Sequence, residues 1–194
     1  MAKVEDQLRD LAIDHGGFFT SRDAARAGIS PQLVVQLAAR SRIERVAHGL
    51  YRFPSWPQTA GQQYHEALLW VQAQRKPIWA VVSHESALEL YGLTNLNPGA
   101  IHVTIPRGTR IVRSMPRWIR IHRGHVDDDE RTTEQGVPVV TLPLAIEDVA
   151  ATHGADIAHR AVSEARERHL LREDEVARLV ARFGNSVLEP YRAE

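Results

Sequence analysis

The stretch TSRDAARAGISPQLVVQLAARSRIERVAHGLYRF, residues 20–53, contains two helix starts, a tight turn and a hairpin. Thr20 and Asp23 have the spacing of a capping box, in which each side chain bonds an exposed backbone donor at the other. A short helix to Ala27 follows, and Gly28-Ile29 forms the turn. Ser30 and Pro31 then repeat the start signal. Serine caps the helix, and proline sits at the first helical position, where no donor is lost. The spacing predicts a helix from Pro31 to about Arg40, with Leu33, Val34, Leu37 and Ala38 facing inward. Gln32, Gln36, Ala39 and Arg40 lie on other faces. Ile43 to Ala47, His48-Gly49 and Leu50 to Phe53 read as strand, turn and strand. Upstream, Val4, Leu8, Leu11 and Ala12 recur at helical spacing over about residues 3–15, and Gly16-Gly17 stops that helix. Three helices followed by a hairpin describe a winged helix-turn-helix.

Pro54 and Pro57, around Ser55 and Trp56, read as a linker. The expected division is a winged helix over residues 1–57 and a second domain over 58–194. In the second domain, Tyr64, Leu68, Leu69 and Val71 suggest a helix over roughly 60–75, ended by Pro77. Ile78 to Val82 reads as a short strand. Ser83 is placed as the cap of a helix carrying Ala87, Leu88 and Tyr91 and closed by Gly92. Ile101, Val103 and Ile105 alternate with His102 and Thr104, and Ile119 and Ile121 with Arg120 and His122. Val137 to Thr141 is a further strand. Helices are expected over 144–151, 155–168 and 173–183. The fold class is α+β, a winged helix followed by a mixed α/β domain with a helical end.

The 194 residues carry a formal net charge of zero. That total hides segregation, because residues 1–57 sum to +2, 58–74 to −1, 75–123 to +6 and 124–194 to −7. A uniformly basic nucleic-acid binder is therefore excluded, but local basic surfaces are not. Cysteine is absent, which removes disulfides and thiolate chemistry. Met1 to Leu11 has no apolar stretch of the signal-peptide kind, and Ile78 to Val82, as long an apolar run as the chain has, is too short for a bilayer. A cytoplasmic protein without a membrane partner is expected.

A helix with Gln32 and Gln36 near its start suits a major groove about 12 Å wide, where an amide side chain bonds adenine bidentately. Ser30 caps that helix. Arg40, Arg42 and Arg45 are placed to neutralise phosphates, and His48 at the hairpin tip to reach a phosphate or the minor groove. The alternative is a three-helix unit that only packs or contacts protein. Arg107, Arg110, Arg113, Arg117, Arg120 and Arg123 put six arginines in seventeen residues, with Trp118 among them. This run reads either as a docking face for a partner or as a solvated face paired with the chain's own acidic end.

Enzymatic readings find less support. His122, His125 and Asp127 to Asp129 crowd together without defining a metal geometry. His84-Glu85 lacks the second histidine of a zincin helix, and no glycine-rich phosphate loop is present. Lys76 is the single lysine beyond Lys3, and no acid pair precedes it at strand spacing, which disfavours a two-acid-and-lysine nuclease. No catalytic residue, metal or cofactor is assigned.

Two stretches resemble the AbiEi-type antitoxins of type IV toxin–antitoxin systems, including mycobacterial relatives. One runs from Gly17-Phe18-Phe19-Thr20 through Gly28-Ile29-Ser30 and Ile43-Glu44-Arg45-Val46 to Gly49-Leu50-Tyr51. The other contains Ser83-His84-Glu85-Ser86-Ala87-Leu88, Tyr91-Gly92-Leu93 and Ile101-His102-Val103-Thr104-Ile105-Pro106-Arg107. It continues through Gly136-Val137-Pro138-Val139-Val140-Thr141 to Glu147-Asp148-Val149-Ala150. The resemblance implies a winged helix that represses its own operon at inverted repeats, and a second domain that counteracts a nucleotidyltransferase toxin encoded nearby. It assigns DNA contacts to Ser30, Gln32, Gln36, Arg40, Arg42, Arg45 and His48. It supplies no motif for the toxin contact, which is placed on Arg107, Arg110, Arg113, Arg117 and Arg120. Some relatives add a nuclease-like domain for which 194 residues leave no room, so a non-enzyme is expected. Binding as a dimer would match an inverted repeat. The alternative is a stand-alone regulator whose second domain senses a ligand or dimerises.

Overall fold

The computed structural model describes residues 2–59, 61–73, 78–93 and 99–188. The chain divides into two compact units. One holds residues 1–80 with 108–114 and 135–137, and the other holds the remaining segments.

In the first unit, α1 (Ala2–Ile13), α2 (Ser21–Arg26) and α3 (Pro31–Ala39) surround one apolar core. The expected caps form. Thr20 Oγ1 accepts from the Asp23 amide at 3.2 Å, and Asp23 Oδ2 accepts from the Thr20 amide at 3.0 Å. Ser30 Oγ accepts from the Leu33 amide at 3.3 Å, with Pro31 opening α3. Val34 and Leu37 point into the core and Leu33 and Ala38 pack at its margin, so the helical period sets the buried face.

The hairpin is β2 (Glu44–Ala47) and β3 (Leu50–Arg52), with a bulge between Arg45 and Ala47. A third strand, β1 (Phe18–Thr20), was not expected. It pairs antiparallel with β3, Phe19 opposite Tyr51, and gives a sheet of order β1-β3-β2. Phe19 stacks on Tyr51 at 5.7 Å between ring centroids and lies 5.8 Å from Phe53. The winged-helix arrangement is therefore present.

The residues read as a linker are part of this packing. Trp56 sits against Phe53 and directly over Gly17, where a Cβ would come within 2.4 Å of the indole. Gly17 also has φ of +90°, a backbone conformation that side chains rarely allow. Next, α4 (Gln62–Gln72) docks on the same unit, with Gln62 Nε2 donating to the Gly16 carbonyl at 2.9 Å. Its expected terminator, Pro77, and Lys76 lie outside the described residues.

The second unit is built on a five-stranded sheet of order β6-β5-β4-β8-β7. Its strands are β4 (Val81–Val82), β5 (Ile101–Pro106), β6 (Ile119–Gly124), β7 (Arg131–Glu134) and β8 (Val137–Val140). β4 runs antiparallel to β5 and parallel to β8, and β5 runs parallel to β6. β7 was not expected. The two-residue turn Gln135-Gly136 joins it to β8, with both φ values positive, the geometry that matches strand twist. Helix α5 (His84–Leu90) packs on β5 and on α6 (Leu142–His153), which in turn contacts α7 (Ala155–Glu167) and α8 (Glu173–Phe183). Among the described residues, no helix is long and apolar enough to cross a membrane.

Candidate functional site

Helix α3 separates its residues by chemistry. Val34 and Leu37 are buried, while Gln32, Val35 and Gln36 are exposed on its outward side. Ala39 and Arg40 are exposed at its carboxyl-terminal end. Ser30 is exposed and already bonded as the cap. No acidic residue stands in the first turn of α3, so that turn adds no negative charge against the helix dipole. Arg45 and His48 are both exposed on the hairpin, and an Arg45 guanidinium nitrogen lies 3.0 Å from His48 Nδ1. Glu44 is held by Arg52 across the strand pair at 2.7 Å. Ion pairing thus neutralises the acid nearest these cations.

Arg42 has a structural partner. Its guanidinium bonds Glu5 Oε2 at 2.7 and 3.2 Å, tying α1 to the turn after α3. The Glu5 carboxylate is nearly buried and the Arg42 side chain half-exposed, so this residue closes the unit while keeping one face to solvent.

The arginine run is shared between the two units. Residues 108–114 belong to the first, and Arg107, Arg117 and Arg120 to the second. Arg107, Arg110, Arg117 and Arg120 are exposed. Arg113 turns inward. Its guanidinium lies over the Trp70 ring at 4.8 Å, donates to the Ala73 carbonyl and reaches the His48 carbonyl at 3.5 Å. Burial lowers its pKa from the usual guanidinium value. At the acidic end, arginines are close at hand. Arg178 bridges Glu130 and Glu147, and Arg172 pairs with Asp174 and Glu175.

A buried polar network occupies the second unit, and sequence reading did not assemble it. Ser83 follows β4 at the start of α5, α5 delivers His84 and Glu85, β5 delivers His102 and Thr104, β6 delivers His122, and α6 delivers Asp148 and His153. Ser83 stands at the cap position of α5, but its hydroxyl makes no cap bond. Instead it accepts from Thr104 Oγ1 at 2.7 Å and lies 3.0 Å from His84 Nδ1. The Ser83 hydroxyl is taken by the neighbouring strand, so the expected side-chain cap does not form.

His84 adopts a left-handed φ of +54°, uncommon outside glycine. Its ring stacks on His122 at 3.5 Å, and its Nδ1 lies 3.3 Å from Asp148 Oδ2. His122 Nε2 meets His102 Nδ1 at 3.2 Å. Glu85 is buried at the edge of this group. Its Oε1 contacts His153, and its Oε2 lies 2.6 Å from His102 Nδ1 without hydrogen-bond alignment.

Burial, with His122 and His102 beside it, lowers the His84 pKa to about 3. Burial and His102 lower His122 to about 4. Burial alone raises Glu85, but His102 and His153 more than offset it and hold the carboxyl below the usual range. Burial, with Glu147, Glu130 and Glu85 nearby, pushes Asp148 up to about 7.

The grouping of His122 with His125 and the aspartates does not form. His122 joins the histidine stack, while His125 is exposed and pairs with Asp127 at 2.7 Å. Among the described residues, no group of three or more histidines and acids is placed to hold a metal ion.

Residues 6–54, from α1 through the hairpin, match the family model described as "Transcriptional regulator, AbiEi antitoxin". No curated protein matches the chain. Among solved structures, the RV2827C protein from Mycobacterium tuberculosis is similar over 96% of this chain and 74% of its own, at 15% identity and a TM-score of 0.54. At that identity the likeness is one of fold.

Proposed function

From the match of residues 6–54 to the model of AbiEi antitoxin transcriptional regulators, we propose a DNA-binding autorepressor that also counteracts a nucleotidyltransferase toxin. The observation that carries the DNA reading is the outward face of α3, where Gln32 and Gln36 stand exposed and Arg40 follows, with Arg45 and His48 on the adjoining hairpin. In this reading, residues 1–57 form the reading head and α3 enters the major groove from its Ser30 end. Gln32 and Gln36 bond base edges, and Arg40, Arg45 and His48 take phosphates. Arg42 contributes its exposed edge while clamping Glu5. Two copies side by side on an inverted repeat match the expected operator.

Residues 58–194 carry the antitoxin role in the cytoplasm, with toxin docking on Arg107, Arg110, Arg117 and Arg120. Arg113 is reserved for the interior of the first unit.

The test is fluorescence anisotropy of the full chain on duplexes from upstream of its own reading frame, at fixed salt. Replacing both Gln36 and Arg40 by alanine lowers affinity more than tenfold; an unchanged affinity overturns the assignment. Coexpression with a neighbouring nucleotidyltransferase reading frame tests the second role. Rescue of growth by the native chain and its loss on charge reversal at Arg107, Arg117 and Arg120 support it. Failure of the native chain to rescue overturns it and leaves a stand-alone regulator.

A further inference from the structure

We propose that Val35 reads the 5-methyl group of thymine, so that α3 selects A·T base pairs; this rests on the DNA-binding reading above. Val35 is 59% exposed in the middle of a helix whose other side is core. It lies three residues after Gln32 and one before Gln36, and all three are exposed. Residues spaced three and four apart are neighbours on a helix surface, so Val35 and Gln36 flank Gln32 on either side and the apolar group adjoins the Gln32 amide. In the major groove the thymine methyl is the one apolar feature, and adenine N6 and N7 form the donor–acceptor pair that an amide matches. Isopropyl, amide and amide side by side across the outward surface therefore complement neighbouring A·T pairs. A G·C pair offers neither the methyl nor the N6 donor.

The chemistry of valine strengthens the match. A β-branched side chain holds essentially one rotamer in a helix, so little freedom is lost on contact. Elsewhere on the same helix, Val34 and Leu37 supply the core contacts, so Val35 is not needed for folding. No acid in the first turn stands in the way of a polyanion.

The experiment begins with selection of a randomised 30-base-pair duplex pool on the full chain. The selected duplex is then resynthesised with deoxyuridine replacing each thymidine in turn, which removes one methyl and leaves pairing intact. For the native chain, affinity falls roughly fourfold at one or two positions per half-site, the effect of burying one methyl group. Val35→Ser and Val35→Ala bind the thymine duplex more weakly, and Val35→Ser gives the same affinity for both versions. Native affinity that is indifferent to uracil at every position overturns the proposal. So does a methyl dependence retained in Val35→Ser. A chain that enriches no duplex overturns the DNA-binding reading itself, and this proposal with it. A chain that enriches G·C-rich duplexes overturns the proposal and leaves DNA binding standing.

Discussion

Replacing Gly17 with alanine tests the packing of the first unit at its tightest point. Two costs combine there. The backbone has φ of +90°, and holding a residue with a Cβ in a sparsely populated conformation costs about 1–3 kcal/mol. The new Cβ would also come within 2.4 Å of Trp56 Cγ and 2.7 Å of its Cβ, so the indole must move. Trp56 packs against Phe53, which in turn lies 5.8 Å from Phe19, and overpacking of this kind costs about 1–3 kcal/mol. The expected loss is about 2–6 kcal/mol in all, a large share of the stability of an ordinary domain. Urea titrations followed by far-ultraviolet circular dichroism measure it as a shift in midpoint. Trp56→Ala removes the obstacle, so Gly17→Ala costs less in that background by the overpacking share, about 1–3 kcal/mol. A loss under about 0.5 kcal/mol in the native background refutes the reasoning. Equal losses in the two backgrounds refute the packing part and leave only the backbone cost.

Two further outcomes follow from the caps and the histidine network. Thr20→Val keeps the side-chain shape but removes the hydroxyl that bonds the Asp23 amide and carboxylate, and costs about 1–2 kcal/mol in the same titrations; a change under about 0.5 kcal/mol contradicts it. Stability falls on acidification from about pH 6.5 to about 4, because His84 and His122 stay neutral in the fold but take protons near 6.5 once unfolded. Glu85 adds to that fall below its ordinary value of 4.5. Asp148 opposes it, since the folded chain holds that proton up to about pH 7 while the unfolded chain releases it above 3.8. Asp148→Asn therefore steepens the acid dependence, and a flat profile between pH 6.5 and 4, or one that this substitution leaves unaltered, contradicts the assignment.

The legible parts of the fold were those whose signals are local. Thr20 with Asp23, and Ser30 with Pro31, reach partners three residues away, so their spacing alone locates two helix starts. α6, α7 and α8 follow from apolar periodicity and lie within about two residues of the expected bounds. β1 escaped because three residues carry no alternation, and both faces are buried. It exists because β3 offers a free edge, a fact about tertiary pairing. The histidine network escaped for a similar reason. Glu85 meets His153, 68 positions away, through helix packing, and Thr104 reaches Ser83 only by the register of β4 against β5. Ser83 shows the limit of a local rule, because the cap position is right but a cross-strand hydroxyl takes the side chain. Among the candidate DNA contacts, Gln32 and Gln36 were placed by helical period. Val35 stayed hidden in the run Leu33-Val34-Val35, where composition says core and only the phase of the helix turns one valine outward.

The return of residues 108–114 to the first unit has a consequence for how the molecule is made. Arg113 supplies the cation over Trp70 and a donor to the Ala73 carbonyl, from a point more than thirty residues downstream of both. During synthesis from the amino terminus, the first unit reaches its full set of contacts only after β5 of the other unit has left the ribosome. Closing that long loop delays the last step of the first unit's assembly. A chain cut after residue 80 keeps every element of the winged helix but lacks this late strap, so the first unit is complete only when a later stretch of the chain has been made.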